Sequence, residues 1–128
     1  LFKEQENILK VLPSTAHLQV IADKGLIEQV LINLIKNALD ATRHRPDPQI
    51  ELSAGINEEG KTFIRVSDNG TGIPADVQER IFIPFFTTKP SGSGIGLSIS
   101  RQIMHMHKGD LTVTSENGTG SRFLLLFS

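Results

Sequence analysis

The stretch Lys24-Gly25-Leu26-Ile27-Glu28-Gln29-Val30-Leu31-Ile32-Asn33-Leu34-Ile35-Lys36-Asn37-Ala38-Leu39-Asp40-Ala41-Thr42-Arg43 decides the fold. Ile27, Val30, Leu31, Leu34, Ala38 and Ala41 recur at helical spacing, so roughly residues 24–43 form an amphipathic helix. Asp23 is placed to cap its first turn, and Arg45-Pro46-Asp47-Pro48 breaks it. Two amides interrupt the apolar run. Asn33 and Asn37 stand one helical turn apart and share a face. An unpaired buried polar group costs on the order of 1–3 kcal/mol, so the pair needs partners. Two readings stay open: core amides that cap nearby backbone, or oxygen ligands for a hard cation. Magnesium keeps most of its waters and leans on substrate phosphates, so one amide oxygen can suffice.

Upstream, residues 1–12 have a helical look that stops at Pro13, and residues 18–22 are β-prone. Downstream, residues 49–56 and 62–67 flank Asn57-Glu58-Glu59-Gly60 and read as a hairpin. Residues 75–81, after Pro74, suggest a short helix, and residues 82–93 a loop. Residues 95–107 are helical, with Ile95, Ile99, Ile103 and Met106 on one face and Lys108-Gly109 as the stop. Residues 111–115 and 122–127 form a second hairpin around Asn117-Gly118. The apolar run Leu124-Leu125-Leu126-Phe127 predicts a strand covered on both faces. Hairpins separated by helices predict an α+β, two-layer α/β sandwich.

The chain has 128 residues, enough for one domain with a single core. A net charge of −1 offers no basic footprint for nucleic acid. The absence of cysteine removes disulfides, thiolate catalysis and cysteine-based zinc sites. No apolar run approaches the roughly 18 residues of a membrane helix. The chain begins at Leu1 rather than Met, so a fragment of a longer protein is expected, with room for a membrane span upstream.

Glycine is clustered. Gly70 and Gly72, then Gly92, Gly94 and Gly96, then Gly118 and Gly120 account for seven of the 11. Gly118 and Gly120 fit ordinary turns. Gly92-Ser93-Gly94-Ile95-Gly96 opens a helix, where successive backbone N–H groups bind phosphate. No GxxxxGK[ST] string is present, and Phe85-Phe86-Thr87-Thr88-Lys89-Pro90 is no buried strand, so neither a P-loop nor a dinucleotide fold fits. The chain is also too small for a protein kinase with its N-terminal glycine loop. Asp68-Asn69-Gly70-Thr71-Gly72 ends a strand, where a carboxylate can accept a hydrogen bond from an adenine amino group.

Together these segments resemble the boxes of sensor histidine kinases. Asn33-Leu34-Ile35-Lys36-Asn37-Ala38 is similar to the N box and Asp68-Asn69-Gly70-Thr71-Gly72-Ile73 to the G1 box. Phe82-Ile83-Pro84-Phe85-Phe86 resembles the F box and Gly92-Ser93-Gly94-Ile95-Gly96-Leu97 the G2 box. Gly118-Thr119-Gly120-Ser121-Arg122-Phe123 resembles the last glycine box. Single boxes are weak signals, but five in order over residues 18–127 are specific. The resemblance implies the Bergerat ATP-binding fold of the GHKL superfamily: a mixed, mostly antiparallel sheet packed on three helices, with a mobile ATP lid at about residues 73–93. Residues 1–16 then become the remnant of a connection to an upstream domain.

Carried over residue by residue, the resemblance implies ATP and Mg²⁺ as ligands. Asn37 ligates the metal, and Asn33 supports metal and phosphates. Asp68 reads the adenine amino group, with Gly70, Gly72 and Ile73 shaping its pocket and Ser121 helping through water. Gly92, Gly94, Ile95, Gly96 and Leu97 offer phosphate-binding backbone, and Thr88 and Lys89 the lid contacts. Asp40 and Thr87 stand where many relatives carry a base, which leaves Lys36, Arg43 and Lys89, of which Lys89 is the candidate for the γ-phosphate. Ile83 replaces the usual acid of the F box, and Phe82, Phe85 and Phe86 would anchor the lid or, if exposed, a partner domain.

Position 33 separates reaction types. The hydrolysing relatives carry a water-activating glutamate there, and asparagine cannot accept a proton at neutral pH. Phosphoryl transfer needs mainly positioning and charge neutralisation. None of His17, His44, His105 and His107 sits in the family's acceptor pattern, so the acceptor is expected on a separate dimerisation domain, with a response regulator beyond it. The resemblance further implies a cytoplasmic location, with the whole protein open to an inner-membrane anchor and no membrane contact by this domain. Three alternatives remain: a GHKL ATPase, an anti-sigma-factor-type serine kinase, and a nucleotide-binding module without catalysis.

Overall fold

The computed structural model describes residues 8–12, 18–87 and 94–127. Five strands and three helices follow in the order β1 (Leu9–Val11), α1 (Lys24–Ala41), β2 (Ile50–Ile56), β3 (Thr62–Asp68), α2 (Ala75–Gln78), α3 (Gly96–Met106), β4 (Asp110–Glu116) and β5 (Gly120–Leu126). The sheet order is β1-β2-β3-β5-β4. Only β1 and β2 run parallel; the other pairings are antiparallel. Helices α1 and α3 pack on each other and cover one face of the sheet, α1 over β2 and β3 and α3 against β4. This is the expected α+β sandwich with a mixed, mostly antiparallel sheet.

Local chemistry explains the elements. Asp23 Oδ1 accepts the Leu26 N–H at 3.0 Å and caps α1. Asn57 Oδ1 accepts from the Glu59 and Lys61 N–H groups, and Gly60 takes φ +80°, so the β2–β3 turn closes as a hairpin. Val30, Leu34 and Ala38 of α1 are buried as the periodicity predicts, together with Ile35. They meet Ile50, Val66, Leu111, Phe123 and Leu125 of the sheet and Ile103 and Met104 of α3.

Five expectations change. The helical look of residues 1–12 is replaced, at Leu9–Val11, by a strand paired with Ile50–Leu52. Three residues hold less than one helical turn, whereas the free edge of β2 offers ladder partners: the Ile50 N–H to Ile8 O and the Leu12 N–H to Leu52 O. The β-prone residues 18–22 form no strand, and Ile21 is fully exposed. On α3 the buried face is Ser100, Ile103 and Met104, while Ile99 is 38% and Met106 66% exposed. The apolar stripe is displaced because α3 turns Ser100 inward toward α1. On β5 burial alternates, with Leu124 and Leu126 half-buried, because none of the described helices covers the second sheet face. Lys108, at φ +60°, rather than Gly109 takes the left-handed position after α3.

The segment after α2 is tied down from one side. The Arg101 guanidinium lies 4.5 Å from the Phe82 ring centroid, and its Nε donates to Asp110 Oδ1 at 3.3 Å. Burial alone would raise the Asp110 carboxyl, but hydrogen bonds from His105, the Leu111 N–H and Arg101 outweigh it and hold the group below its ordinary range. None of the described helices is long and apolar enough to cross a membrane.

Leu34 is 1% exposed. Leu34→Ala should lower unfolding stability by roughly 2–5 kcal/mol, whereas Ile99→Ala should cost about 0.5 kcal/mol or less. Urea denaturation of both variants checks the ordering, and similar losses at the two positions would overturn the assigned face of α3.

Candidate functional site

A cavity of about 350 Å³ opens between α1, the start of α3 and one end of the sheet. It gathers Asn33, Asn37, Asp68, Gly72, Ile73, Gly94, Gly96, Leu97 and Ser121 from the residues singled out by sequence. Gly70 and Ile95 do not line it. Gly70 packs against the end of α1, where a Cβ would lie 2.5 Å from Ala41 O, and Ile95 sits at the N-cap of α3. Thr88, Lys89 and Gly92 lie outside the described residues, as do Ser93 and most of the expected lid tip.

Asn33 joins the two helices. Its Nδ2 donates to Ser100 Oγ at 3.0 Å, and Ser100 is 2% exposed. Gly96 makes this approach possible, since a Cβ there would stand 2.6 Å from Asn33 Oδ1. Asn37 follows one turn later on the same cavity wall, between Lys36 and Asp40. Asp40 Oδ1 pairs with Arg43 at 2.8 Å, so the acid standing where relatives carry a base has a cation beside it.

At the other end, β3 delivers Asp68 opposite Ser121 of β5. Burial raises the Asp68 carboxyl above its ordinary value, against the lowering effect of hydrogen bonds from the Gly70 and Ser121 backbone. The Gly70 N–H reaches Asp68 Oδ1 at 2.9 Å. Ser115 organises its neighbours: its Oγ accepts the Ile73 N–H at 2.8 Å, donates to Gly120 O at 2.9 Å and lies 2.9 Å from Ser121 Oγ. With the Ser115 proton given to Gly120 O, Ser121 donates to Ser115 and keeps its lone pairs for other donors.

At the rim, Gly94 has φ +76° and a Cβ there would lie 2.5 Å from the Phe85 carbonyl carbon. The Phe85 N–H donates to Gly94 O at 2.8 Å, which closes the neck of the expected lid. Phe85 itself takes φ +68° and is 78% exposed, and Ile83 is also exposed, whereas Phe82 and Phe86 are half-buried against the core. The segment therefore divides into two anchors, Phe82 and Phe86, and an exposed pair, Ile83 and Phe85.

Sequence reasoning missed Ala41, Ile81 and Phe123 as cavity wall, and Ser115 as the organiser. The two-residue alternation of β5 places Phe123 beside Ser121 and could have flagged it. Nothing local marks Ser115 or Ile81. Among the described residues no group of three His, Cys, Asp or Glu could cage a metal. The amide of Asn37 and the oxygen-rich wall suit only a hard cation that shares its ligands with phosphate and water. A wider, polar groove of about 580 Å³ lies across the outer sheet face, around Glu51, Arg65 and Arg122. It gathers none of Asn33, Asn37, Gly94 and Gly96.

This combination of sandwich, paired asparagines, half-buried acid and glycine-hinged rim defines a class. Residues 22–128 match the family described as histidine kinase-, DNA gyrase B-, and HSP90-like ATPase. The catalytic domain of histidine kinase ThkA, in a nucleotide-free form, aligns with TM-score 0.78 and 34% identity over 98% of this chain and 84% of that one. Full-length ShkA in complex with AMPPNP aligns with TM-score 0.83 and 28% identity over 97% of this chain and 26% of that one. The signal transduction histidine-protein kinase AtoS of Escherichia coli (strain K12) is 41% identical over 105 residues, 82% of this chain and 17% of AtoS. The sensor protein FixL of Bradyrhizobium diazoefficiens is 38% identical over 104 residues, 81% of this chain and 21% of FixL. The chain belongs to this ATPase family, as an ATP-binding catalytic domain of the sensor histidine kinase type, and spans about a fifth of the length of these two relatives.

The raised carboxyl of Asp68 has a consequence for stability. A folded-state value above the unfolded one favours folding only while the group is protonated, and that contribution is lost as pH rises through the folded value. At neutral pH the fold therefore carries the carboxylate at a cost. Asp68→Asn should raise the melting temperature of the nucleotide-free protein at pH 7, and the gain should shrink toward zero below about pH 4. A melting series against pH checks this; a gain independent of pH would contradict the assignment.

Proposed function

We propose that the chain binds Mg-ATP in this cavity and donates the γ-phosphoryl group to a histidine on a separate dimerisation domain, in two-component signalling with a response regulator downstream. The observation that carries the reading is the opposed placement of a half-buried acid, Asp68, and an amide pair, Asn33 and Asn37, in one cavity. Asp68 accepts from the adenine amino group while its other contacts stay with the chain. Gly72 and Ile73 form the adenine wall, and the lone pairs of Ser121 serve a bridging water. Asn37 supplies an amide oxygen to magnesium, and magnesium, when bound, neutralises the charge of the phosphates. The backbone at Gly94, Gly96 and Leu97, at the start of α3, faces the phosphates. Lys89 and Thr88 are assigned to the γ-phosphate from the lid.

Transfer rather than hydrolysis follows from position 33. Its amide spends an N–H on Ser100 and has no basic site to take a proton from water. No histidine of the described residues lines the cavity. His105 pairs with Asp110, and His107 is held between Ile103 O and the Asp23 N–H. The acceptor therefore comes from a partner domain, with exposed Phe85 and Ile83, beside Gly94, as the surface that meets it.

With radiolabelled ATP the chain alone should remain unlabelled, and an added helical hairpin bearing an acceptor histidine should take up acid-labile label. Label on this chain by itself, acid-stable label on serine, or steady ATP turnover would each reject the proposal in favour of a different activity. Asn37→Ala should weaken Mg-ATP binding about tenfold or more, equivalent to ~1.4 kcal/mol, with little change in magnesium-free ATP binding. Calorimetry with and without the metal reads the difference.

A further inference from the structure

We infer that Arg45 is a positioning residue for nucleotide recognition, holding the Asp68–Gly72 loop in register with the β4–β5 turn and fastening both to the end of α1. The inference rests on the proposed adenine site at Asp68.

The two loops meet almost without side chains between them. A Cβ at Gly72 would overlap Glu116 O, and one at Gly120 would overlap Asp68 O. The Gly118 N–H donates to Thr71 O at 2.6 Å across the same seam. Packing of backbone on backbone leaves little apolar area to stabilise the seam, so hydrogen bonds must fix its register. Arg45 supplies them. One terminal nitrogen, Nη2, donates to Gly70 O at 2.8 Å and to Gly118 O at 2.5 Å, one carbonyl on each side. Bonds from a charged donor are about twice as strong as neutral ones. The Arg45 N–H donates to Thr42 O at 3.0 Å, and the Thr42 hydroxyl donates to Ala38 O at 2.9 Å, so the guanidinium hangs from the helix that carries Asn33 and Asn37. Asn69 completes the clamp toward the segment that leads into β2: its Oδ1 accepts the Gln49 N–H and its Nδ2 donates to Asp47 O.

Arg45 is also a poor stabiliser. Its Nε is buried with no hydrogen-bond partner, and a buried donor without an acceptor costs stability. A residue kept for stability alone would do better as an apolar stem. The geometry instead helps set the distance between the amide end of the cavity and Asp68, beside the Thr71 N–H to Ala41 O bond at 3.3 Å, and Arg45 is the side chain that reaches both loops from the end of α1. Methionine at position 45 would keep the stem, remove both carbonyl bonds and remove the orphan donor, so stability and recognition should part company.

The test uses the whole chain and two nucleotides, ATP and ITP, which carries an oxygen in place of the adenine amino group. Arg45→Met should weaken ATP binding about tenfold and ITP binding less than about twofold, while the nucleotide-free melting temperature moves by only a few degrees. Preference for ATP over ITP left intact, or equal weakening of both nucleotides with a large fall in melting temperature, overturns the inference. Asp68→Asn is the control. If it leaves the ATP preference unchanged, the adenine assignment has failed; if it abolishes the preference and Arg45→Met does not, the fault lies with Arg45. Should Arg45→Met fail to fold, Arg45→Lys takes its place. Its shorter stem holds one carbonyl and not both, so the ATP preference should fall about threefold, and an unchanged preference overturns the inference.

Discussion

The approach of α3 to α1 at Gly96 and Asn33 sets the rest of the structure. A Cβ at position 96 would stand 2.6 Å from Asn33 Oδ1, so only glycine lets the first turn of α3 sit there. The Asn33–Ser100 hydrogen bond then locks the spacing from inside the layer. Farther along the same two helices, Val30 and Leu34 meet Ile103 and Met104 in an ordinary apolar core. The helix pair is thus held by packing at one end and by a polar clasp at the other. The cavity exists because the clasp replaces the bulky side chains that would otherwise fill that end.

The cavity divides its electrostatics along its length. The floor at Asp68 keeps one carboxylate half-buried against the protein's own preference, and backbone N–H groups only partly offset the cost of its burial. The helix wall carries neutral amides, with the Asp40 charge set beside Arg43. A ligand with a hydrogen-bond-donating base and an anionic tail matches that polarity in one direction only. The seam of glycines at Gly72 and Gly120 brings two backbones together at the floor, and Arg45 ties that seam to α1. Floor and wall therefore behave as one frame, while at the neck the described residues are joined by the Phe85 N–H to Gly94 O hydrogen bond.

Different parts of this arrangement were legible in the sequence to different degrees. Helix α1 was, because six apolar positions repeat over about four turns and neighbouring signals at Asp23 and Pro46 agree. Both hairpins were, because Asn57, Gly60 and Gly118 carry turn chemistry that acts within a few residues. Strand β1 was not: three residues have no period, and their partner lies beyond α1. The face of α3 was misread at Ile99 and Met106, because a buried serine is invisible to a hydrophobic pattern until its partner, Asn33, is known. Asn33, Asn37, Asp68, Gly72 and Ser121 stood out because each lies in a short, chemically unusual run. Ser115 and Arg45 did not, since both act through carbonyl and hydroxyl groups far along the chain.

By itself the sequence determined the kinds of element from α1 onward, the family, and the chemical types available to the site: amides on a helix, one acid at a strand end, glycines where backbones must come close. These are local properties, set by periodicity, turn geometry and the donors and acceptors of single side chains. Only the tertiary structure decided which of them share a cavity, that Gly70 supports the wall from behind instead of lining it, and that burial lifts the Asp68 carboxyl. Those outcomes depend on distances between segments that the chain brings together only when β3 pairs with β5 and α3 closes on α1. A sequence can name the groups, but burial and contact belong to the assembled layers.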